Sequence, residues 1–133
     1  MIGGEPAETV LICDDEIDLV TELGDLFVAF GWGTVTSHTY PEAISVLTDG
    51  MPVSCLLTDR AMPGGSGDDL IAFALSLPVQ QRPKVLVLMT GVPDLRMNSS
   101  EALADLIVEK PFDPAWLQER MTRLLHPNHR VDE

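Results

Sequence analysis

Six residues with charged or hydroxyl side chains stand at the ends of short apolar runs in this sequence. They are Asp14, Asp15, Glu16, Asp59, Thr90 and Lys110. Clustered carboxylates repel one another and therefore need a cation, and hard oxygen ligands favour Mg²⁺. A metal held in this way screens a carboxylate nucleophile from an incoming phosphoryl group, while an ammonium and a hydroxyl bind the remaining phosphoryl oxygens. The residue types therefore indicate phosphoryl transfer to an aspartate, with Mg²⁺ as the cofactor.

Each of these residues, taken alone, has a simpler explanation. An aspartate after a strand often only caps the following helix, a threonine there is often a turn residue, and a lysine is usually solvated. The joint pattern is harder to explain in this way, because the chain has only two lysines, Lys84 and Lys110. One of the two stands at the end of an apolar run and is followed by Pro111, which fixes its backbone.

Alternating elements must position these side chains. Short apolar runs predict strands over residues 10–13, 34–37, 53–58, 84–89 and 106–108. Helical spacing predicts four helices between or after them: one ended by Gly31, one capped by Thr39, one halted near Pro78 and one capped by Asp113 with Pro114 at its first position. Residues 62–67 are predicted to form a Pro/Gly turn, and a short helix capped near Asn98 is predicted to run through Ala104.

This alternation predicts an α/β fold in which five β–α units build a parallel sheet with helices on both faces. The crossovers of such sheets are right-handed. The working residues of such sheets lie at the carboxyl ends of the strands. The six residues are therefore expected to converge on one edge of the sheet.

Composition narrows the function classes. The 133 residues fit one domain, expected to have its core at residues 9–125 and short flexible ends, and at 45% hydrophobic residues the chain can bury a core. The net charge of −13 argues against direct binding to nucleic acid or to an anionic membrane. No apolar stretch approaches the ~18 residues of a membrane span, and no signal peptide is recognisable at the start. Cys13 and Cys55 are expected to be buried, reduced thiols of a cytoplasmic protein.

Four motifs carry a resemblance to a known family. In order along the chain they are LICDDE, LLTDRAMPGGSG, LVLMTG and VEKPF, each at a predicted strand end. Together they resemble the receiver domain of two-component response regulators, over residues 9–125. The resemblance implies the flavodoxin-like fold, a five-stranded parallel sheet of order 2-1-3-4-5. It also implies a phosphoacceptor signalling domain, which is not an enzyme in the usual sense although it assists its own phosphorylation and dephosphorylation.

The resemblance implies a role for each site residue. Asp59 would accept the phosphoryl group, and Mg²⁺ would be held by Asp15 directly, by Asp14 through water, by Asp59 and by the backbone carbonyl of Ala61. Thr90 would bind a phosphoryl oxygen and move toward it on activation.

Further along the chain, Lys110 would pair with the phosphoryl group, and its bond to Pro111 is often cis in this family. Pro63 and Gly67 would shape the loop after the acceptor. The implied partners are a sensor histidine kinase or a histidine phosphotransfer protein as donor, and a downstream protein target.

Three features depart from the family pattern. Many receivers have an aromatic residue three positions before the lysine, where this chain has Ile107. Only 19 residues separate Thr90 from Lys110, which predicts a shortened fourth helix, and Ala61 offers no polar side chain beside the acceptor. The response to phosphorylation is expected mainly in residues 92–104, and the face that this segment forms with the last helix is the expected partner site.

Two other functions were weighed against this one. A small Mg²⁺-dependent aspartyl-phosphate hydrolase of the haloacid dehalogenase type would use Asp14 as nucleophile, whereas a receiver would use Asp59. A flavodoxin would bind a flavin phosphate in the first loop, where Asp14, Asp15 and Glu16 would repel it. Little length and no basic patch follow Leu125, so both a protein that acts alone and a receiver piece of a longer chain stay open.

Overall fold

The structure of this chain, a computed structural model, describes residues 8–91 and 103–127. The strands are β1 (Thr9–Cys13), β2 (Gly33–Ser37), β3 (Cys55–Asp59), β4 (Ala61–Met62), β5 (Gly65–Ser66), β6 (Val85–Thr90) and β7 (Leu106–Glu109). The helices are α1 (Ile17–Ala29), α2 (Tyr40–Thr48), α3 (Gly67–Ser76) and α4 (Pro114–Leu125). The short helix predicted near Asn98 lies outside the described residues, apart from its last two positions.

Five strands form one parallel sheet in the order β2-β1-β3-β6-β7. When the two short strands β4 and β5 are left out of the count, this is the predicted order 2-1-3-4-5. The predicted α/β fold class is therefore confirmed. Because all five strands are parallel, their carboxyl ends meet at one edge of the sheet.

The sheet is covered on both faces, and alternate side chains of each strand enter different cores. One core lies under α1 and α4 and includes Val10, Ile12, Phe27, Leu57, Val87, Met89, Leu117 and Met121. The other lies under α2 and α3 and includes Leu11, Ala43, Leu47, Leu56, Leu70, Ile71 and Leu88. The continuous apolar runs of the central strands follow from burial on both faces.

The predicted helix boundaries are confirmed where polar caps or glycine define them. The hydroxyl of Thr39 accepts the Glu42 N–H at 3.2 Å at the start of α2. The carboxylate of Asp113 accepts the Ala115 N–H at 3.0 Å before Pro114 begins α4. Gly31, with φ +101°, follows the end of α1 in the left-handed region that glycine tolerates best.

Residues 62–67 differ from the prediction. The segment is not only a turn, because β4 and β5 pair antiparallel across it. This hairpin packs against the start of α2, where the Tyr40 N–H donates to the Pro63 carbonyl at 3.0 Å. A Cβ on Gly65 would lie 2.5 Å from the Tyr40 ring, so only glycine permits this approach.

Both cysteines are buried and free, as predicted. Burial raises the pKa of the Cys13 thiol to about 12, and it also raises the pKa of Cys55. Both thiols therefore stay protonated at neutral pH. Within the described residues, no helix is both long enough and apolar enough to cross a membrane.

Candidate functional site

The predicted site residues stand together at the carboxyl edge of the sheet. Asp14 and Asp15 follow β1 directly, Asp59 is the last residue of β3, and Thr90 is the last residue of β6. Lys110 follows β7, and its N–H donates to the Thr90 carbonyl at 2.8 Å. The sheet therefore brings residues that are up to 96 positions apart in sequence into one site.

Three carboxylates form the acidic part of this site. One carboxylate oxygen from each of Asp14, Asp15 and Asp59 lies within 4.8 Å of the other two. Asp14 is fully buried, Asp59 is partly buried and Asp15 is exposed. An all-oxygen donor set of this kind, open to water on the Asp15 side, fits Mg²⁺, which keeps several waters and takes one or two carboxylates.

Lys110 lies between two of the three carboxylates. Its Nζ atom is 2.7 Å from Asp14 Oδ2 and 3.0 Å from Asp59 Oδ1. The other oxygen of Asp14 accepts the Glu16 N–H at 3.0 Å. The buried Asp14 carboxylate thus has a cation on one oxygen and a backbone donor on the other, as a buried charge requires.

The environment shifts the pKa values of the acceptor and the lysine. Burial raises the pKa of the Asp59 carboxyl above its usual value, and the negative charge of Asp14 acts in the same direction. Lys110 and the Ala61 N–H oppose this rise without cancelling it. Burial alone would lower the pKa of Lys110, but its bonds to Asp14 and Asp59 outweigh burial and raise it. Lys110 therefore stays charged at neutral pH.

Asp59 is the more accessible of the two carboxylates that contact Lys110. Its side chain is 14% exposed, whereas that of Asp14 is fully buried. Solvent therefore reaches the Asp59 side chain, while the Asp14 side chain is covered.

The loop after Asp59 is held close to the sheet. The Arg60 N–H donates to the Met89 carbonyl at 3.0 Å, and the Gly67 N–H donates to the Arg60 carbonyl at 2.8 Å. A Cβ on Gly67 would overlap the Asp59 carbonyl oxygen, so glycine is needed for this close approach. The peptide bond between Lys110 and Pro111 is cis, as the resemblance implied.

One residue at the site was not predicted from the sequence. His38 follows β2 at the same sheet edge, and its Nδ1 lies 3.2 Å from the Asp14 carbonyl oxygen. Its place after a strand was the signal that could have found it. Ile107, at the position where many receivers have an aromatic residue, is partly buried against the core under α2 and α3.

Sequence comparison relates the chain to response regulators. No protein-family model matches it. The transcriptional regulatory protein CpxR of Escherichia coli (strain K12) is 27% identical over 120 residues, which are 90% of this chain and 50% of CpxR. The chain therefore spans about half the length of this curated relative.

Structural comparison relates the fold to receiver domains. A CheY-like receiver domain from Methylobacillus flagellatus superposes with a TM-score of 0.78 at 20% identity, covering 88% of this chain and 98% of that one. The response regulator TrrA from Thermotoga maritima, solved in complex with Mg²⁺ and BeF, gives 0.77 at 24% identity over 88% and 98% of the two chains. The resemblance that the four sequence motifs carried is thus confirmed: this chain has the receiver fold and is similar in sequence to the response regulators of two-component signalling.

Proposed function

We propose that this chain is a phosphoacceptor receiver domain whose Asp59 takes a phosphoryl group from a phosphohistidine donor. The observation that carries the proposal is the convergence of Lys110 and three carboxylates on one sheet edge, with Asp59 accessible and Asp14 covered. In this arrangement catalysis consists mostly of positioning and charge neutralisation.

The residues present fit a divalent cation. Asp14, Asp15, Asp59 and the Ala61 carbonyl would hold Mg²⁺, with Asp15 as a direct ligand and Asp14 acting through water. When bound, the metal supplies positive charge between the carboxylates and the phosphoryl oxygens. The carboxylate cluster itself supports this assignment, since the Lys110 ammonium pairs with Asp14 and Asp59, and within the described part of the chain Asp15 has no cationic partner.

The side chains divide the phosphoryl transfer between them. A carboxylate oxygen of Asp59 forms the new bond to phosphorus as the bond from phosphorus to the donor's imidazole nitrogen breaks, and the donor leaves as a histidine. The Lys110 ammonium shifts from Asp59 to a phosphoryl oxygen and neutralises its charge. The Thr90 hydroxyl, at the end of β6, donates to another phosphoryl oxygen and moves toward it.

The proposed partners follow from this role. The donor is a sensor histidine kinase or a histidine phosphotransfer protein, and the output is a downstream protein target. With a net charge of −13, the chain itself is proposed to contact neither nucleic acid nor membrane. We assign it to the cytoplasm, in keeping with two reduced cysteines.

The proposed response surface combines residues 92–104 with α4. Residues 92–102 of this surface lie outside the described part of the chain. Within the described part, α4 exposes Trp116 and Leu124, which are 45% and 37% exposed. An aromatic and an aliphatic side chain on one short helix are suited to a modest, reversible protein contact.

The structure gives no support to Asp14 as a nucleophile of the haloacid dehalogenase type. Asp14 is fully buried, and both of its carboxylate oxygens are bonded, one to Lys110 and one to the Glu16 N–H. We therefore propose a signalling phosphoacceptor and not a hydrolytic enzyme.

Acetyl phosphate with Mg²⁺, followed by intact-mass measurement, tests this proposal. We expect the wild type to gain the mass of one phosphoryl group. When Mg²⁺ is chelated before the reaction, we expect no gain in mass. The Asp59→Asn variant should gain nothing, because its amide is not a nucleophile. A phosphoryl group on Asp59→Asn, or none on the wild type, would contradict the assignment.

A further inference from the structure

His38 contacts the backbone of Asp14, the residue of the acidic cluster that directly follows β1. The Asp14 N–H donates to the Ser37 carbonyl at 3.1 Å, and the Asp14 carbonyl oxygen lies 3.2 Å from His38 Nδ1. Both backbone polar groups of Asp14 are therefore bound to the end of β2. Since a carbonyl oxygen only accepts hydrogen bonds, His38 must donate from Nδ1.

We propose that His38 is a positioning residue of the metal site, which directs Asp15 by holding the peptide group between Asp14 and Asp15. The proposal rests on the proposed function for the identity of the metal. It does not rest on the phosphorylation step.

Peptide planarity carries the effect of His38 to Asp15. The Asp14 carbonyl and the Asp15 N–H belong to one rigid plane, so a bond to the carbonyl also fixes the position of the Asp15 Cα atom. Within the described residues, the exposed Asp15 carboxylate has no hydrogen bond or ion pair of its own. The backbone therefore sets the position from which the Asp15 side chain reaches the metal site, and His38 restrains that backbone from the side of β2.

The His38 residue is itself fixed by α2. Its backbone N–H donates to Glu42 Oε1 at 2.7 Å. Glu42 lies in the first turn of α2, where its own N–H is capped by the Thr39 hydroxyl at 3.2 Å. Because the His38 backbone is held by Glu42, its imidazole can restrain the loop that follows β1. Residues that hydrogen-bond to metal ligands orient those ligands in the same way in other proteins.

The test compares two replacements of His38 by calorimetric Mg²⁺ titration of the unphosphorylated protein. His38→Leu removes the ring donor, and we expect the dissociation constant for Mg²⁺ to rise about tenfold, the lower end of the effect of losing an outer metal-site partner. His38→Asn keeps a donor two bonds from Cβ and should restore most of the affinity.

A matched control is provided by His126→Leu. His126 pairs with Glu8 at 2.8 Å before β1, at the opposite end of the sheet, so its loss should leave Mg²⁺ affinity unchanged. Equal affinities of His38→Leu and the wild type would overturn the proposal, and so would an equal loss in His38→Leu and His38→Asn.

A measurement on the wild type keeps the test independent of how the variants fold. Nitrogen-15 NMR of the imidazole should show His38 protonated on Nδ1, and an Nδ1 without a proton would also overturn the proposal. A wild type that binds Mg²⁺ but takes no phosphoryl group would contradict the proposed function and leave the role of His38 standing.

Discussion

Replacing Lys110 by methionine removes the ammonium that lies between Asp14 and Asp59. Methionine has nearly the length of lysine but no charge, so the variant keeps the packing of the stem and loses the two ion pairs. The carboxylate of Asp14, which is fully buried, then keeps only the Glu16 N–H at 3.0 Å as a partner among the described residues. Two carboxylates with oxygens less than 4.8 Å apart also lose the cation between them.

The expected cost follows from the burial of the three groups. Removing one partner of a buried ion pair costs roughly 3–5 kcal/mol, because the other charge is left uncompensated. The side chains of Lys110 and Asp59 are 19% and 14% exposed, so water recovers part of this cost at one of the two pairs. We expect the free energy of unfolding of metal-free Lys110→Met to fall by about 2–4 kcal/mol at pH 7.

Magnesium should then stabilise the variant more than it stabilises the wild type. In the wild type, both Lys110 and Mg²⁺ neutralise the negative charge of Asp14 and Asp59. In Lys110→Met, Mg²⁺ is the cation that neutralises these carboxylates. A ligand at a hundred times its dissociation constant stabilises the folded state by about 2.7 kcal/mol. Millimolar Mg²⁺ should therefore restore much of the lost stability.

Urea unfolding followed by circular dichroism measures this effect without changing the ionic strength. The titration is run with EDTA and again with Mg²⁺, on the wild type, Lys110→Met and Lys84→Met. Lys84 is the other lysine of the chain and is exposed before β6, so its variant should match the wild type in both buffers. If Lys110→Met is as stable as Lys84→Met without metal, the ion pairs of Lys110 do not compensate the buried carboxylate and the reasoning is refuted.

Three further predictions concern single groups of the site. Asp15→Ala should abolish stabilisation by Mg²⁺ in a thermal melt while leaving the metal-free melting temperature unchanged, since the Asp15 side chain is exposed; a lower metal-free value would show a structural role. Gly67→Ala should lower the free energy of unfolding in urea by about 1–3 kcal/mol, because its Cβ would overlap the Asp59 carbonyl. The control Gly24→Ala, in α1 with its nearest contact at 3.8 Å, should be neutral or stabilising. Equal stability of the two variants would contradict the close approach at Gly67. Because burial raises the folded-state pKa of Asp59, its contribution to stability is present at acid pH and is lost as the pH rises through that pKa. Carbon-13 carboxyl NMR of the metal-free protein should therefore give a titration midpoint above the usual aspartate value, and a still higher midpoint in Lys110→Met. A midpoint below the usual value would reverse the sign of this contribution to stability.

The edge of the sheet was predictable because it depends on strand order and direction alone. Once parallel strands were recognised from their apolar runs, Asp14, Asp59 and Lys110 had to meet at their carboxyl ends. The caps at Thr39 and Asp113 were also predictable, since each is a local contact within a few residues of the chain.

The features that escaped prediction depend on contacts that leave no pattern in the local sequence. The pairing of β4 with β5 uses two residues on each strand, too few for any periodicity to reveal, and it is stabilised by Tyr40 from another element. The contact of His38 with Asp14 required the exact register of β2 beside β1. The sequence also does not show that Lys110 pairs with both Asp14 and Asp59, because this depends on how the three side chains are placed in the folded chain.

The chemical identity of the phosphorylated residue tests the central claim most directly. After treatment with acetyl phosphate and Mg²⁺, borohydride reduces an aspartyl phosphate to homoserine, and peptide mass spectrometry then locates the changed residue. We predict homoserine at Asp59 and aspartate at Asp14 and Asp15. Homoserine at Asp14, or unchanged aspartate at Asp59 in protein that has gained a phosphoryl group, would contradict the account.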